Sequence, residues 1–301
     1  MLESVFTVIK KFLLSLIFFF IFLVNVAAAQ IKITALDVEQ GDSFLIETDT
    51  ENILIDTGDV AARDYLLNYF STSYIDKLIL THPHADHIAN AANLIKNNLV
   101  GAVYDNGRTV ANKYYLNYLA QLKKKNIPRY TLREGDIFFL DDGAYLEILS
   151  ANRYSKNMNN DSVVCKLVYG NFSMLFTGDI EAETETELFQ SGYNLQSTIL
   201  KAAHHGSKTS NSLDFITAVN PQYVLISAAF NNKFGHPHAA ALDNFILAGV
   251  NKNNIFCTAF NGSVTITTDG ETFTITPERQ VNWIDNYLGY ILTITDITDA
   301  Y

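Results

Sequence analysis

All seven histidines of this 301-residue chain fall in three short clusters, at 82/84/87, 204/205 and 236/238. Histidines that only fill a surface or a core scatter along a sequence. Histidines gathered beside aspartates suit a metal, because imidazole nitrogen and carboxylate oxygen are natural ligands for zinc, manganese and iron. The first cluster reads Thr81-His82-Pro83-His84-Ala85-Asp86-His87, directly after the apolar Leu78-Ile79-Leu80. His82 and His84, two apart, can face one metal; Asp86 and His87, at a helix start, can turn to a second. Two further apolar runs end in polar groups and glycine: Phe176-Thr177-Gly178-Asp179, and Leu200-Lys201-Ala202-Ala203-His204-His205-Gly206-Ser207. A Gly-Asp pair alone is usually a turn, and His236-Pro237-His238 alone is a loop. Their company gives them weight. No rival nucleophile is in evidence: there is no Gly-x-Ser-x-Gly, and neither Cys165 nor Cys257 has a histidine nearby in sequence. Both cysteines lie in apolar, strand-like runs, which predicts two buried free thiols.

Holding such groups in register takes rigid elements, and the apolar periodicity supplies them. Strands are expected at 31–37, 44–48 and 52–56, followed by an alternation: helix 61–70, strand 77–80, helix 88–97, strand 102–104 and helix 111–125. Strands 137–140, 145–149, 163–169 and 173–177 open a second half with the same habit. It continues as helix 182–190, strand 199–202, helix 213–219, strand 223–227, helix 240–247 and strand 254–257. A hairpin at 264–268 and 272–276 turns on Asp269-Gly270. Two such halves predict an α/β domain of two mixed sheets packed face to face, with helices outside.

The N-terminus stands apart. Lys10 and Lys11 precede a short apolar stretch over 12–24, and Ala27-Ala28-Ala29 follows. That pattern reads as a secretory signal peptide over 1–29, too short in its apolar core for the about 20 residues of a membrane span. Its removal takes away Glu3, Lys10 and Lys11, a net +1, and turns a formal charge of −11 into −12. So acidic a chain has no general attraction for DNA or other polyanions. The boundaries expected are a signal at 1–29, a catalytic domain at 30–277 and an extension at 278–301, whose Trp283, Ile284 and Tyr287 imply docking on the domain.

Taken in order, the motifs resemble the metallo-β-lactamase superfamily, and within it the extracellular hydrolase domain of ComEC-type competence proteins. The resemblance is carried by Asp37-Val38-Glu39-Gln40-Gly41-Asp42-Ser43, Leu54-Ile55-Asp56-Thr57-Gly58, residues 81–87, Asn160-Asp161-Ser162-Val163-Val164, 176–179, 201–207 and Gly235-His236-Pro237. It implies the αββα sandwich of that superfamily and two divalent metal ions, zinc or else manganese. His82 and His84 would bind one, Asp86, His87 and His205 the other, and Asp179 would bridge them. Asp56 and Asp42 would stand behind the ligands. Asp86, His204 and His236 would be the residues of the chemistry, with His204 or His236 protonating the leaving group; His204 and His205 could exchange roles. Three departures stand out. No histidine lies between His87 and Asp179, so the first metal lacks a third one; Ala89-Asn90 replace expected glycines; and Glu39 replaces a glycine, so that loop is free to differ. The reaction implied is hydrolysis by a metal-activated hydroxide, first of a phosphodiester in DNA, a small molecule or a surface polymer. Hydrolysis at the carbonyl of a thioester, lactone or β-lactam is the alternative enzyme, and a non-catalytic metal-binding accessory of DNA uptake the alternative binder.

Overall fold

The computed structural model describes residues 29–285 and 287, so the segment read as a signal lies outside the described residues except for Ala29. The chain lays down one sheet, then another, and returns to the first. Six strands come first: β1 Ile31–Ala35, β2 Phe44–Glu47, β3 Asn52–Ile55, β4 Ile75–Leu80, β5 Val100–Asp105 and β6 Arg129–Thr131. The second sheet takes β7 Ile137–Phe139, β8 Tyr145–Ser150, β9 Val164–Tyr169, β10 Phe172–Phe176, β11 Ile199–Lys201, β12 Tyr223–Ile226 and β13 Ile255–Cys257. The hairpin β14 Val264–Thr268 and β15 Phe273–Pro277 then pairs back on β1, giving sheets of eight and seven strands.

Each sheet changes character once. Pairing is antiparallel from β1 to β3 and parallel from β3 to β6; it is antiparallel from β7 to β10 and parallel from β10 to β13. Parallel strands are covered on both faces, so they read as unbroken apolar runs. Leu78-Ile79-Leu80 and Val224-Leu225-Ile226 are buried throughout. One apolar layer lies between the sheets, where Phe44 meets Phe176 edge to face at 5.5 Å, a geometry that adds about 0.5–1.5 kcal/mol beyond the area buried. Helices Arg63–Tyr69, Ala91–Lys96 and Lys113–Lys125 cover the first sheet; Ala182–Gln190, Leu213–Val219 and Ala239–Leu247 cover the second. This is the four-layer arrangement the sequence predicts, and Cys165 and Cys257 are buried free thiols within it.

The differences from the sequence reading are local. The helix expected over 88–97 is two pieces, Ala85–Ile88 and Ala91–Lys96. Asn90 stands between them, its side chain donating to the Thr57 and Asp59 carbonyls. Part of the 278–301 extension docks: Trp283 stacks flat on Phe260, its indole donates to Ile255 O at 3.0 Å, and Tyr287 donates to Pro237 O at 2.9 Å. Among the described residues no helix is long and apolar enough to cross a membrane.

Candidate metal centre

In open sheets, ligands gather beyond the carboxyl ends of strands, where the topology switches. Here both switch points face one another. Asp56 follows β3, residues 81–87 follow β4, Asp179 follows β10, and His204 and His205 follow β11. The loops lie close enough to exclude side chains: a Cβ on Gly41 would stand 2.1 Å from Asp86 O, and one on Gly178 would stand 2.7 Å from Ser162 Cβ. Both glycines also have positive φ, which costs a residue without a Cβ little. His204 and His205 take φ of 50° and 56°, uncommon for side-chain-bearing residues. That pair of left-handed residues aims the two rings differently, and such strain is typical of functional turns.

Ligand atoms of Asp86, His87, Asp179 and His205 all lie within 4.8 Å of one another. Asp179 Oδ2 is the hub: His87 Nε2 is 3.1 Å away, His205 Nε2 3.4 Å, and His82 Nε2 and His204 Nε2 3.9 Å each. Asp86 Oδ2 reaches His205 Nε2 at 3.4 Å. On the other side His82 Nε2 and His84 Nδ1 are 3.0 Å apart. Behind the ligands, Asp56 Oδ2 lies 2.7 Å from His87 Nδ1 and also accepts from Thr81, while Ser227 O lies 2.8 Å from His205 Nδ1. Asp42 Oδ1 stands 3.4 Å from the same His205 nitrogen.

The donor set fits a divalent cation. His87 Nε2, His205 Nε2 and Asp179 Oδ1 are buried without a hydrogen-bond partner, and buried polar atoms seldom stay unpaired. Nitrogen and carboxylate atoms converging from four loops, unmatched and nearly dry, are what a metal would satisfy. The charges agree. Burial would raise the Asp179 carboxyl, but His205 and His87 hold it well below its ordinary value. Burial would lower His87 and His205, yet Asp179 foremost holds both well above theirs. His82 goes the other way: burial, then His87, pushes it well down.

Residues 36–229 match the family described as the metallo-beta-lactamase superfamily, nearly two thirds of the chain. The chain belongs to the metallo-β-lactamase superfamily. Its curated relatives are ComEC-type competence proteins. It is 27% identical to ComE operon protein 3 of Bacillus subtilis over 247 residues, 75% of this chain and 32% of that protein. It is 30% identical to competence protein ComA of Neisseria gonorrhoeae over 224 residues, 72% of this chain and 30% of that protein. The chain thus spans about a third of the length of these relatives. Among solved structures it is similar in fold to Igni18, a metallo hydrolase of Ignicoccus hospitalis, with a TM-score of 0.53 at 16% identity over 79% of this chain and 98% of that one. The YhfI protein of Bacillus subtilis gives 0.51 at 14% identity, over 80% and 100%.

Set in the metallo-β-lactamase frame, the departures find their accounts. Glu39 takes φ 61°, the left-handed conformation a glycine adopts freely. Asn90 ties its loop to the β3 end, as described. Where the third histidine is missing, Ser162 Oγ lies 3.2 Å from His82 Nδ1 and accepts from Asp179 N at 3.0 Å. Asp161 is turned away, held by Arg108 and by Ser155 N. Reading the sequence missed Lys201, Asn159 and Glu181. Lys201 is buried, donates to Gly178 O at 2.7 Å, and lies 2.5 Å from Asp42 and 3.6 Å from Asp179. Its signal was a lysine inside the apolar Ile199-Leu200-Lys201-Ala202 run. His204 stands at the rim with Nδ1 3.3 Å from Glu181 Oε1, and burial lowers its pKa. His236 lies beside it, ring centroids 5.4 Å apart, pushed down to about 3 by burial and then by His205 and His204.

Proposed function

We propose that the chain is an exported hydrolase of phosphodiesters that works with two divalent cations, zinc or manganese. The observation that supports this most is the convergence of unpartnered, buried His87 Nε2, His205 Nε2 and Asp179 Oδ1 on one point. Asp86, His87, Asp179 and His205 would hold one cation, and His82, His84 and the shared Asp179 the other. Cations bound there would lower the pKa of water and neutralise charge on the attacked group.

The protein's own groups do the rest. Asp56 and Ser227 O accept from the Nδ1 side of His87 and His205, which leaves each Nε2 lone pair facing inward. Glu181 does the same for His204, so its Nε2 faces the centre as an acceptor. His204 Nε2 takes one proton from the attacking water and returns it to the leaving oxygen as the P–O bond breaks. Neutral His236 serves as a hydrogen-bonding neighbour of that group. A cavity of about 900 Å³ opens beside His236, with Phe230, Phe260, Trp283 and Tyr287 around it, and offers room for an apolar leaving group.

The relatives named for competence favour a phosphodiester, the linkage of DNA. The charge of −11 favours a small phosphodiester or a phosphate-bearing surface polymer over long DNA. In this reading 30–277 form the hydrolase domain, 278–301 a docked extension, and 1–29 direct the chain out of the cytoplasm. The test is a screen of metal-reconstituted residues 30–301 against bis-nitrophenyl phosphate, single-stranded DNA, thioesters and a chromogenic β-lactam. Metal-dependent turnover of a phosphodiester is expected. Turnover of the carbonyl substrates alone would replace the substrate class, and a fully metallated but inert protein would sink the hydrolase reading.

A further inference from the structure

The side of the centre with only two histidines is short of a ligand, and the loop before Ser162 has a spare one. That loop is the turn Met158–Asp161, and three of its four last polar side chains are committed. Asn160 accepts from Glu181 N with its Oδ1 and donates to Glu183 with its Nδ2, both at 2.8 Å. Asp161 holds Arg108 and Ser155 N, and Ser162 stands behind His82. Asn159 differs. It is 7% exposed, and its Oδ1 is buried without any hydrogen-bond partner.

The orientation of that amide is fixed by chemistry. Nδ2 lies 2.8 Å from Glu181 Oε1 and 3.5 Å from His204 Nε2. A carboxylate only accepts, so the NH₂ must face Glu181 and the carbonyl oxygen must face the other way. That way lies His84. Burial is the main influence on the His84 pKa, which is lowered, but Asn159 opposes it through a side-chain hydrogen bond. A protonated imidazole has only donors, so the Asn159 atom within reach of His84 is Oδ1.

We propose that Asn159 supplies its amide oxygen as the third protein ligand, beside His82 and His84, of the first metal, with Glu181 holding the amide in place. This rests on the reading of the centre as a metal site. An amide oxygen is a harder donor than imidazole, so this side should accept manganese more readily than a three-histidine site would.

The test is competitive titration of chelated full-length protein with Mn²⁺ and Zn²⁺, alongside circular dichroism, for wild type, Asn159→Leu and Asn159→His. Wild type should bind two ions per chain with two affinities. Asn159→Leu should keep the tighter ion and bind the weaker one at least about tenfold less well, since even a residue behind a ligand typically costs 10–100-fold. Asn159→His should fold, and should raise Zn²⁺ affinity at the weaker site relative to Mn²⁺. Two unchanged affinities in Asn159→Leu overturn the assignment, as does a folded Asn159→His with no change in Zn²⁺ over Mn²⁺ preference. Wild type with a single ion also overturns it while leaving a one-metal hydrolase standing. Wild type with no ion at all overturns the metal reading itself.

Discussion

His87 and His205 each have an obligate acceptor behind the ring, Asp56 Oδ2 at 2.7 Å and Ser227 O at 2.8 Å. Across the centre His82 has hydroxyls there instead, Thr81 Oγ1 and Ser162 Oγ, each 3.2 Å from its Nδ1. His84 has only the His82 ring at 3.0 Å. A carboxylate or carbonyl can only accept, so it fixes the N–H on its own side and the lone pair on the other; a hydroxyl can donate or accept and fixes neither. The second side is therefore pre-set for a cation, and the first side is adjustable. Two affinities follow from that contrast, the tighter one on Asp86, His87, Asp179 and His205.

The largest effect should come from the residue both sides share. Asp179→Ala removes a ligand from each and leaves His87 and His205 without the anion that balances them. Metal content by plasma mass spectrometry and turnover should fall together, the latter by more than roughly 10³-fold, beyond the loss of one oxyanion donor. Retention of one full equivalent of metal would show that the aspartate does not bridge. Next, the adjacent histidines should separate. His205→Ala should lose the tight ion, whereas His204→Ala should keep both and lose roughly 10²–10⁴-fold in rate. That loss should shrink for nitrophenolate, which leaves without a proton. The reverse pattern would exchange the two roles.

A smaller effect tests the partners behind the rings. Asp56→Asn should weaken the tight site by roughly 10–100-fold, and Ser162→Ala should weaken the other site by less, because a water can replace a hydroxyl but not a charge. Equal losses in the titration would erase the distinction between a fixed and an adjustable side.

The ligands were legible in the sequence because histidine is rare and its clusters are conspicuous. Their supports were not. Ser162, Asn159 and Glu181 are ordinary polar residues whose role arises only when β10, β11 and the loop over 158–162 converge. The fold shows the same division. Buried strands such as β4 and β12 announce themselves by apolar runs, while β6, Arg129–Thr131, is exposed at a sheet edge and carries no alternation to detect. It is held by tertiary contact, as Arg129 pairs with buried Asp105 at 2.7 Å. Likewise the break between Ala85–Ile88 and Ala91–Lys96 comes from Asn90 reaching across to another loop, which no helical period encodes.

The smallest expected effect concerns the rim, and pH isolates it in the metal-free protein. His87 and His205 have raised folded-state values, so their stabilisation is complete below about pH 6.5 and fades only as pH climbs through those values. Asp179 and Asp86 have lowered values, so theirs is complete above about 3.8 and fades only below it. Between those limits the acidic and basic pairs are silent. What changes there is the set of histidines whose values burial lowers, His236 among them at about 3. In that window the unfolded chain binds a proton that folded His236 refuses, so stability must fall as pH drops. Each such proton contributes at most about 1.4 kcal/mol per pH unit. Chelated His236→Gln should therefore lose stability less steeply than wild type between pH 6.5 and 4 in urea unfolding, with the two curves parallel above pH 7. Identical slopes in the acid window would mean that the His236 ring is hydrated and titrates normally, and that the rim is open to water.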